Sequence, residues 1–219
     1  MRQISPAAHV QVVPNGVDTA YFDPAVVPPD RTVPTVIFTG DMSYFPNQEA
    51  VNYFARTVLP LIRRSSPEAR FLIVGRNPSR GVLQLQRIDG VEVTGFVPDV
   101  RNYLAKAHVA VAPFTIAAGI QNKILEAMAF GLPVVATLRT AQGLSPAVAD
   151  MVETGDTGEE MAAKVVCLLQ DVRLANRKGM EGRHRVAGEY RWAHSLDQLL
   201  ELLEKPVRTQ SSKNQPSMA

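Results

Sequence analysis

Apolar runs of four or five residues alternate with amphipathic stretches along most of this chain, a pattern that predicts a parallel sheet covered by helices on both faces. Thr35 to Thr39 reads as a strand ending at Gly40, and Asn47 as the cap of a helix with Ala50, Val51, Phe54, Val58, Leu61 and Ile62 on one face. Phe71 to Val74 is the next strand, closed by Gly75; a short helix near Val82 to Gln86 leads to a strand at Val91 to Thr94, ended by Gly95. Asp99 opens a helix with Val100, Tyr103, Leu104 and Ala107 inward, and Val109 to Ala112 is a strand cut by Pro113. Thr157 and Glu160 have capping-box spacing before Met161, Val165, Val166 and Leu169, and Trp192, Leu196, Leu199, Leu200 and Leu203 mark a packing face on a last helix.

One stretch stands apart, Gly119 to Thr137. A polar, glycine-led loop opens a helix whose apolar positions Ile124, Leu125 and Met128 recur at helical spacing. Gly131 sits where a left-handed cap belongs, Pro133 forbids continuation, and Val134-Val135 restarts the chain as a buried strand. Such a loop presents backbone N–H groups at a helix N-terminus, where phosphate oxygens bind. Glu126 lies within reach of whatever that end holds. The combination reads as a nucleotide-diphosphate site.

The ends read differently. Val10 to Val13 is a candidate strand, Pro14-Asn15-Gly16 a turn, and Pro24, Pro28, Pro29 and Pro34 a stiff connector. The expected organisation is therefore a connector over residues 1–33, a nucleotide-diphosphate-binding domain over 34–205, which the family resemblance given below makes a nucleotide-sugar donor-binding domain, and a disordered polar tail over 206–219.

Composition narrows the class without choosing the chemistry. The 219 residues carry 46% hydrophobic and 20% charged residues, ordinary for a globular protein. A formal charge of +2 is too small to argue for nucleic acid or an anionic membrane. Cys167, the lone cysteine, excludes an internal disulfide and is expected to be a small buried hydrophobe. No run reaches the roughly 18 to 20 apolar residues of a membrane span, and no signal-peptide core follows Met1. The expected location is cytoplasmic, with peripheral attachment at the inner face of the membrane as a variant of that expectation.

Several motifs are absent: no G-x-G-x-x-G follows a strand, no G-x-x-x-x-G-K-[ST] exists, and there is no G-x-S-x-G elbow. His9, His108, His184 and His194 share no metal-ligand spacing with one another or with Cys167. What remains lies at the carboxyl ends of the strands, where doubly wound sheets bind ligands: the loops at Gly40, Gly75, Gly95 and Thr115 to Lys123.

The order V-P-N-G-V-D-x-x-x-F at Val13 to Phe22, G-D-M-S-Y-F-P-N at Gly40 to Asn47, I-V-G at Ile73 to Gly75, V-T-G-F-V at Val93 to Val97 and N-K-I-L-E-A-M-A-F-G-L-P-V-V-A at Asn122 to Ala136 resembles the family 4 glycosyltransferases. These are retaining enzymes of the GT-B fold. The resemblance implies a single Rossmann-like doubly wound parallel sheet flanked by helices, the C-terminal half of that fold. It implies a missing N-terminal acceptor-binding half, or a partner protein in its place. The implied ligand is a nucleotide-diphosphate sugar, with no metal and no other cofactor.

The resemblance also implies roles. Glu126 matches the second carboxylate of the family's Glu-x7-Glu motif, which accepts from the donor's ribose hydroxyls. Gly119, Ile120, Gln121, Asn122 and Lys123 match the loop that faces the diphosphate and sugar, Phe96 and Val97 the base contact, and Gly40 the place where the first strand meets the phosphates. Two departures stand out. Ala118 occupies the position of the family's first glutamate, and Asp41, Met42 and Ser43 replace the usual Arg and Lys pair. Lys123 is then expected to supply the missing cation, with Arg76 as its helper.

Without the motif, Glu126 reads first as an acid favoured by the helix macrodipole, Lys123 as a solvated first-turn lysine, and Arg76 as a turn residue or ion-pair partner. Phe96 then packs in the sheet rim, and His108 is a satisfied core histidine. Tyr44 and Phe45 are candidates for the acceptor side. Three functions follow: transfer of a sugar with retention, as in polysaccharide biosynthesis; a catalytically silent nucleotide-binding module or remnant needing a partner half; and a nucleotide-sugar epimerase on the same fold.

Overall fold

A computed structural model describes residues 12–116 and 119–204. The chain runs β1 (Thr35–Thr39), α1 (Phe45–Tyr53), α2 (Leu59–Ser65), β2 (Arg70–Val74), α3 (Arg80–Gln84), β3 (Val91–Gly95), α4 (Arg101–Leu104), β4 (Val109–Ala112) and α5 (Asn122–Ala129). It continues with β5 (Val134–Ala136), α6 (Leu138–Ala141), α7 (Pro146–Ala149), β6 (Glu153–Thr154), α8 (Gly158–Gln170), α9 (Val172–Glu189) and α10 (Trp192–Glu204). A π-helical turn, Phe54–Val58, joins α1 to α2.

The strands pair in parallel as one six-stranded sheet in the order β3-β2-β1-β4-β5-β6. The order reverses direction between β1 and β4, and the carboxyl ends of those two strands part to leave a crevice. Central strands are apolar on both faces because helices cover both: Val36, Ile37 and Phe38 of β1 and Phe71, Ile73 and Val74 of β2 are buried. The doubly wound α/β architecture expected from the alternation is the one observed.

Helix α5 ends as its residues dictate. Gly131 adopts φ 77°, its N–H donates to Met128 O at 2.9 Å, and the N–H of Leu132 reaches Ala127 O at 2.9 Å. This double closure satisfies the last carbonyls and turns the chain into β5. Thr157 and Glu160 close a reciprocal capping box on α8.

Several expectations need correction. Asn47 is not a cap: Tyr44 precedes the first residue of α1, proline stands in its first turn, and the buried Asn47 turns its amide inward. The helix expected from Asp99 is only the short α4, and Asp99 instead accepts from Arg101. Val12 and Val13 are not in a strand, while Val10 lies outside the described residues. Cys167 is exposed, since α8 buries Val165, Leu168 and Leu169 and turns residue 167 outward. Trp192, Leu196, Leu199, Leu200 and Leu203 line an exposed face rather than a buried one. His108 does behave as a core histidine: its Nδ1 accepts from Thr35 N at 3.2 Å, and burial pushes its pKa down, with Arg31 adding to the effect.

The segment before β1 packs on the domain. Val17 and Phe22 are buried, Val17 N donates to Tyr190 O at 2.6 Å, and Arg183 pairs with Asp23 at 3.0 Å while donating to Phe22 O. Residues 205–219, where the tail was expected, lie outside the described residues.

Candidate functional site

The crevice at the switch point is an open cleft of about 540 Å³. Its floor is knitted laterally by backbone: Gly40 N donates to Val74 O at 3.0 Å, Gly75 N to Gly95 O at 3.2 Å, and Met42 N to Arg76 O at 2.8 Å. The ends of β1 and β2 nearly touch, for a Cβ on Gly75 would fall 1.6 Å from Gly40 O. Only glycine permits that approach. The Gly40 amide is engaged, so what Gly40 offers the cleft is room.

That room is filled from above. A Cβ on Gly40 would meet Asn47 Nδ2 at 2.9 Å and Lys123 Nζ at 3.0 Å. Lys123 Nζ donates to Asn47 Oδ1 at 2.6 Å, and Asn47 Nδ2 donates to Asp41 O at 2.7 Å. The ammonium also lies 4.2 Å from the Phe38 ring centre and 4.6 Å from that of Phe114. Burial pushes the Lys123 pKa down to about 7, with Glu126 pulling it back upward. Burial raises the Glu126 pKa in turn, opposed by Lys123.

Asp41 faces the same cleft. Its carboxylate accepts from Ser43 N at 2.9 Å, Ser43 Oγ at 2.7 Å and Arg76 Nε at 2.8 Å. Ser43's backbone and hydroxyl, then Arg76, hold its pKa well below the usual carboxylate range. Arg76 is thus an ion-pair partner at the cleft wall, its side chain 67% exposed.

The structure brings most of the expected residues together. Ile120, Gln121, Asn122, Lys123 and Glu126 form one wall, and Gly40, Arg76, Phe96 and Val97 line the other sides. Gly119 adopts φ 70° but is not among the lining residues. Phe96 is 74% exposed at the rim rather than packed into the sheet edge. Ala118, where the family's first glutamate was expected, lies outside the described residues.

Helix α5 starts at Asn122 after Gln121, whose side chain does not cap it; Ile124 N donates to Gln121 O at 2.9 Å, and the amides of Asn122 and Lys123 stand at the helix start with no turn before them to accept. They open toward the cleft with the positive end of the helix dipole. Phosphate oxygens suit that end, and a carboxylate one turn on, at Glu126, suits vicinal hydroxyls.

Two lining amides escaped the sequence reading. Asn15, which read as a turn residue, lines the cleft and donates from Nδ2 to Asn122 Oδ1 at 3.2 Å. Asn47, which read as a cap, holds Lys123. The P-N-G and F-P-N runs were visible, but only the fold shows which way these amides point. Among the described residues no group of three or more His, Cys, Asp and Glu is arranged to hold a metal ion. No helix among them is long and apolar enough to cross a membrane.

Comparison with known proteins follows the same lines. Over 141 residues the chain is 32% identical to a phosphatidylinositol N-acetylglucosaminyltransferase subunit from Arabidopsis thaliana, covering 61% of this chain and 30% of that protein. It is 30% identical over 230 residues to alpha-maltose-1-phosphate synthase of Mycolicibacterium smegmatis, covering 90% of this chain and 57% of that protein. The chain thus spans well under two thirds of the length of either relative. Among solved structures, a glycosyltransferase from Rickettsia africae superposes with TM-score 0.70 at 16% identity, over 90% of this chain and 58% of that one. Anabaena HepE in complex with UDP and glucose superposes with TM-score 0.66 at 16% identity, over 90% and 57% respectively. The profile of the Glycosyl transferases group 1 family matches residues 33–171, and with all six strands of the sheet and the whole α5 segment inside that match, the chain belongs to this family.

Proposed function

We propose that this chain binds the donor of a retaining glycosyltransferase, a nucleotide-diphosphate sugar, in the cleft between β1 and α5. One observation carries the reading. Lys123 Nζ, the bare Gly40 backbone and the opening turn of α5 converge at the sheet's switch point, with Glu126 one turn beyond. The diphosphate lies against Lys123 and the α5 amides, the ribose hydroxyls against Glu126, and the base toward Phe96 and Val97. Arg76 stands at the cleft wall as a second cation.

Transfer with retention breaks the bond between the sugar's anomeric carbon and the diphosphate while the acceptor oxygen attacks from the same face. Negative charge grows on the leaving oxygen, and donors already aimed at it lower the barrier most. Lys123 and the helix end are those donors. The reading needs no metal, because cation and dipole take up the charge. Acceptor recognition falls to a portion outside these residues, an N-terminal half or a partner protein, which also closes the cleft against water. HepE, a structural neighbour whose complex contains UDP and glucose, supports the donor class.

Titration calorimetry with UDP, GDP, uridine and guanosine tests this. Lys123→Ala removes a charge-assisted bond of about 1.5–3 kcal/mol, so diphosphate affinity falls roughly 10- to 150-fold while nucleoside affinity stays within about twofold. Equal loss for both classes of ligand, or no binding of any nucleoside diphosphate to the unaltered chain, refutes the reading.

A further inference from the structure

Lys123 is seated unusually for a phosphate-binding cation. Among the ion pairs of the described residues none includes Lys123. Its ammonium has a neutral amide oxygen at 2.6 Å and two aromatic faces, with Gly40 pressed against it. Asn47 is 4% exposed and has both ends of its amide committed, one to Lys123 and one to Asp41 O, so it cannot swing away without losing a buried bond. An amide oxygen and ring faces hold a neutral amine or an ammonium equally well as shapes, but compensate a full charge only in part.

We propose that Asn47 and Lys123 form a proton-coupled anion receptor: Asn47 is the positioning residue that keeps the Lys123 amine against Gly40, and arrival of a pyrophosphate diester in the cleft draws one proton onto that amine. The inference rests on the donor-site reading above and adds its regulation, a donor affinity set by pH in the neutral range.

The surroundings of Lys123 fix the direction. From its own helix Glu126 faces it, a carboxyl whose pKa burial raises. From the loop after β1 comes Asp41, held ionised and already paired with Arg76 from the loop after β2. Helix α1 contributes only the neutral Asn47, β1 contributes Phe38, and the segment after β4 contributes Phe114. With its pKa pushed to about 7 in the empty cleft, the amine shares its proton with solvent near neutrality. A diphosphate beside it favours the charged form and pulls the pKa up again. Proton uptake on binding and tighter binding at lower pH are two faces of that linkage. By the same linkage, affinity weakens about tenfold between pH 6 and pH 8.

Calorimetry of the full chain with UDP-glucose, GDP-mannose and ADP-glucose, repeated in buffers of different ionisation enthalpy, reads the proton count directly. These pyrophosphate diesters carry no phosphate monoester, the group whose second ionisation near pH 6 would confuse the count. Binding takes up about 0.9 proton at pH 8 and about 0.1 at pH 6. Asn47→Asp sets a carboxylate against the amine, keeps it charged in the empty cleft and brings uptake at pH 8 near zero; Lys123→Met does so by removing the group. Glu126→Gln retains the uptake even as affinity falls, which separates the two titrating residues. Binding without uptake at pH 8, or uptake that persists in Lys123→Met, overturns the inference and leaves the donor site standing. No binding of any of the three nucleotide sugars overturns the donor site, and the inference with it.

Discussion

Replacing Lys123 by methionine should make the empty protein more stable, and by an amount that depends on pH. In the folded chain burial pushes the Lys123 pKa from 10.5 to about 7. Below about pH 7 both folded and unfolded chains hold this proton, and the fold carries the whole penalty of a buried charge. Between about pH 7 and 10.5 the unfolded chain binds the proton more tightly, so stability rises with pH through that window. At about 1.4 kcal/mol for each pH unit, the gap caps the penalty at about 5 kcal/mol. Methionine fills the same slot against Phe38 and Phe114 but leaves Asn47 Oδ1 without its donor, a loss of about 1 kcal/mol. The net gain at pH 6 is about 3–4 kcal/mol, or some 6–16 °C in Tm for a chain of this size. Urea unfolding followed by circular dichroism at pH 6 and pH 9 measures it. The variant's advantage falls to roughly 1 kcal/mol at pH 9; an advantage that is the same at both pH values, or a variant less stable at pH 6, refutes the reasoning.

Other predictions concern the frame. Gly75→Ala forces a Cβ into Gly40 O and separates the ends of β1 and β2, so the variant loses several kcal/mol in urea melts; a loss below about 1 kcal/mol contradicts the packing. Thr157→Ala removes the α8 cap and lowers stability by about 1 kcal/mol with nucleotide affinity unchanged, since the box lies on a helix that does not line the cleft. Arg183→Ala unpins the segment before β1, where Arg183 joins Asp23 and the carbonyl of Phe22, and hydrogen exchange should rise at Val17 and Phe22 before the core. Cys167 reacts with a maleimide in the native state as fast as in urea; protection in the native state would mean that α8 faces the other way.

Strands β1 to β5 were legible because each is a short run with glycine or proline at one end, and β1, β2, β4 and β5 are apolar almost throughout their buried stretches, a signature that both-face burial imposes. Strand β6 was not, since two residues, Glu153 and Thr154, pair with β5 without any apolar run. Helix α10 shows the limit of periodicity: the spacing of Trp192, Leu196 and Leu203 identifies an amphipathic helix, but says nothing of what covers it. At the site, the α5 segment was readable because a loop, a helix start and a carboxylate follow one another in sequence. The Asn47–Lys123 bond joins residues 76 apart and depends on glycine at position 40, so no local pattern signals it. Asn15 is legible in the same partial way, as a motif whose direction only the packing of Val17 and Phe22 determines.

A crystal structure of the chain with UDP or GDP bound tests the central claim most directly. Diphosphate oxygens are expected within hydrogen-bond distance of Lys123 Nζ and the opening amides of α5, with the ribose hydroxyls on Glu126. A nucleotide seated away from the crevice between β1 and α5, or one whose phosphates point away from Lys123, contradicts that claim.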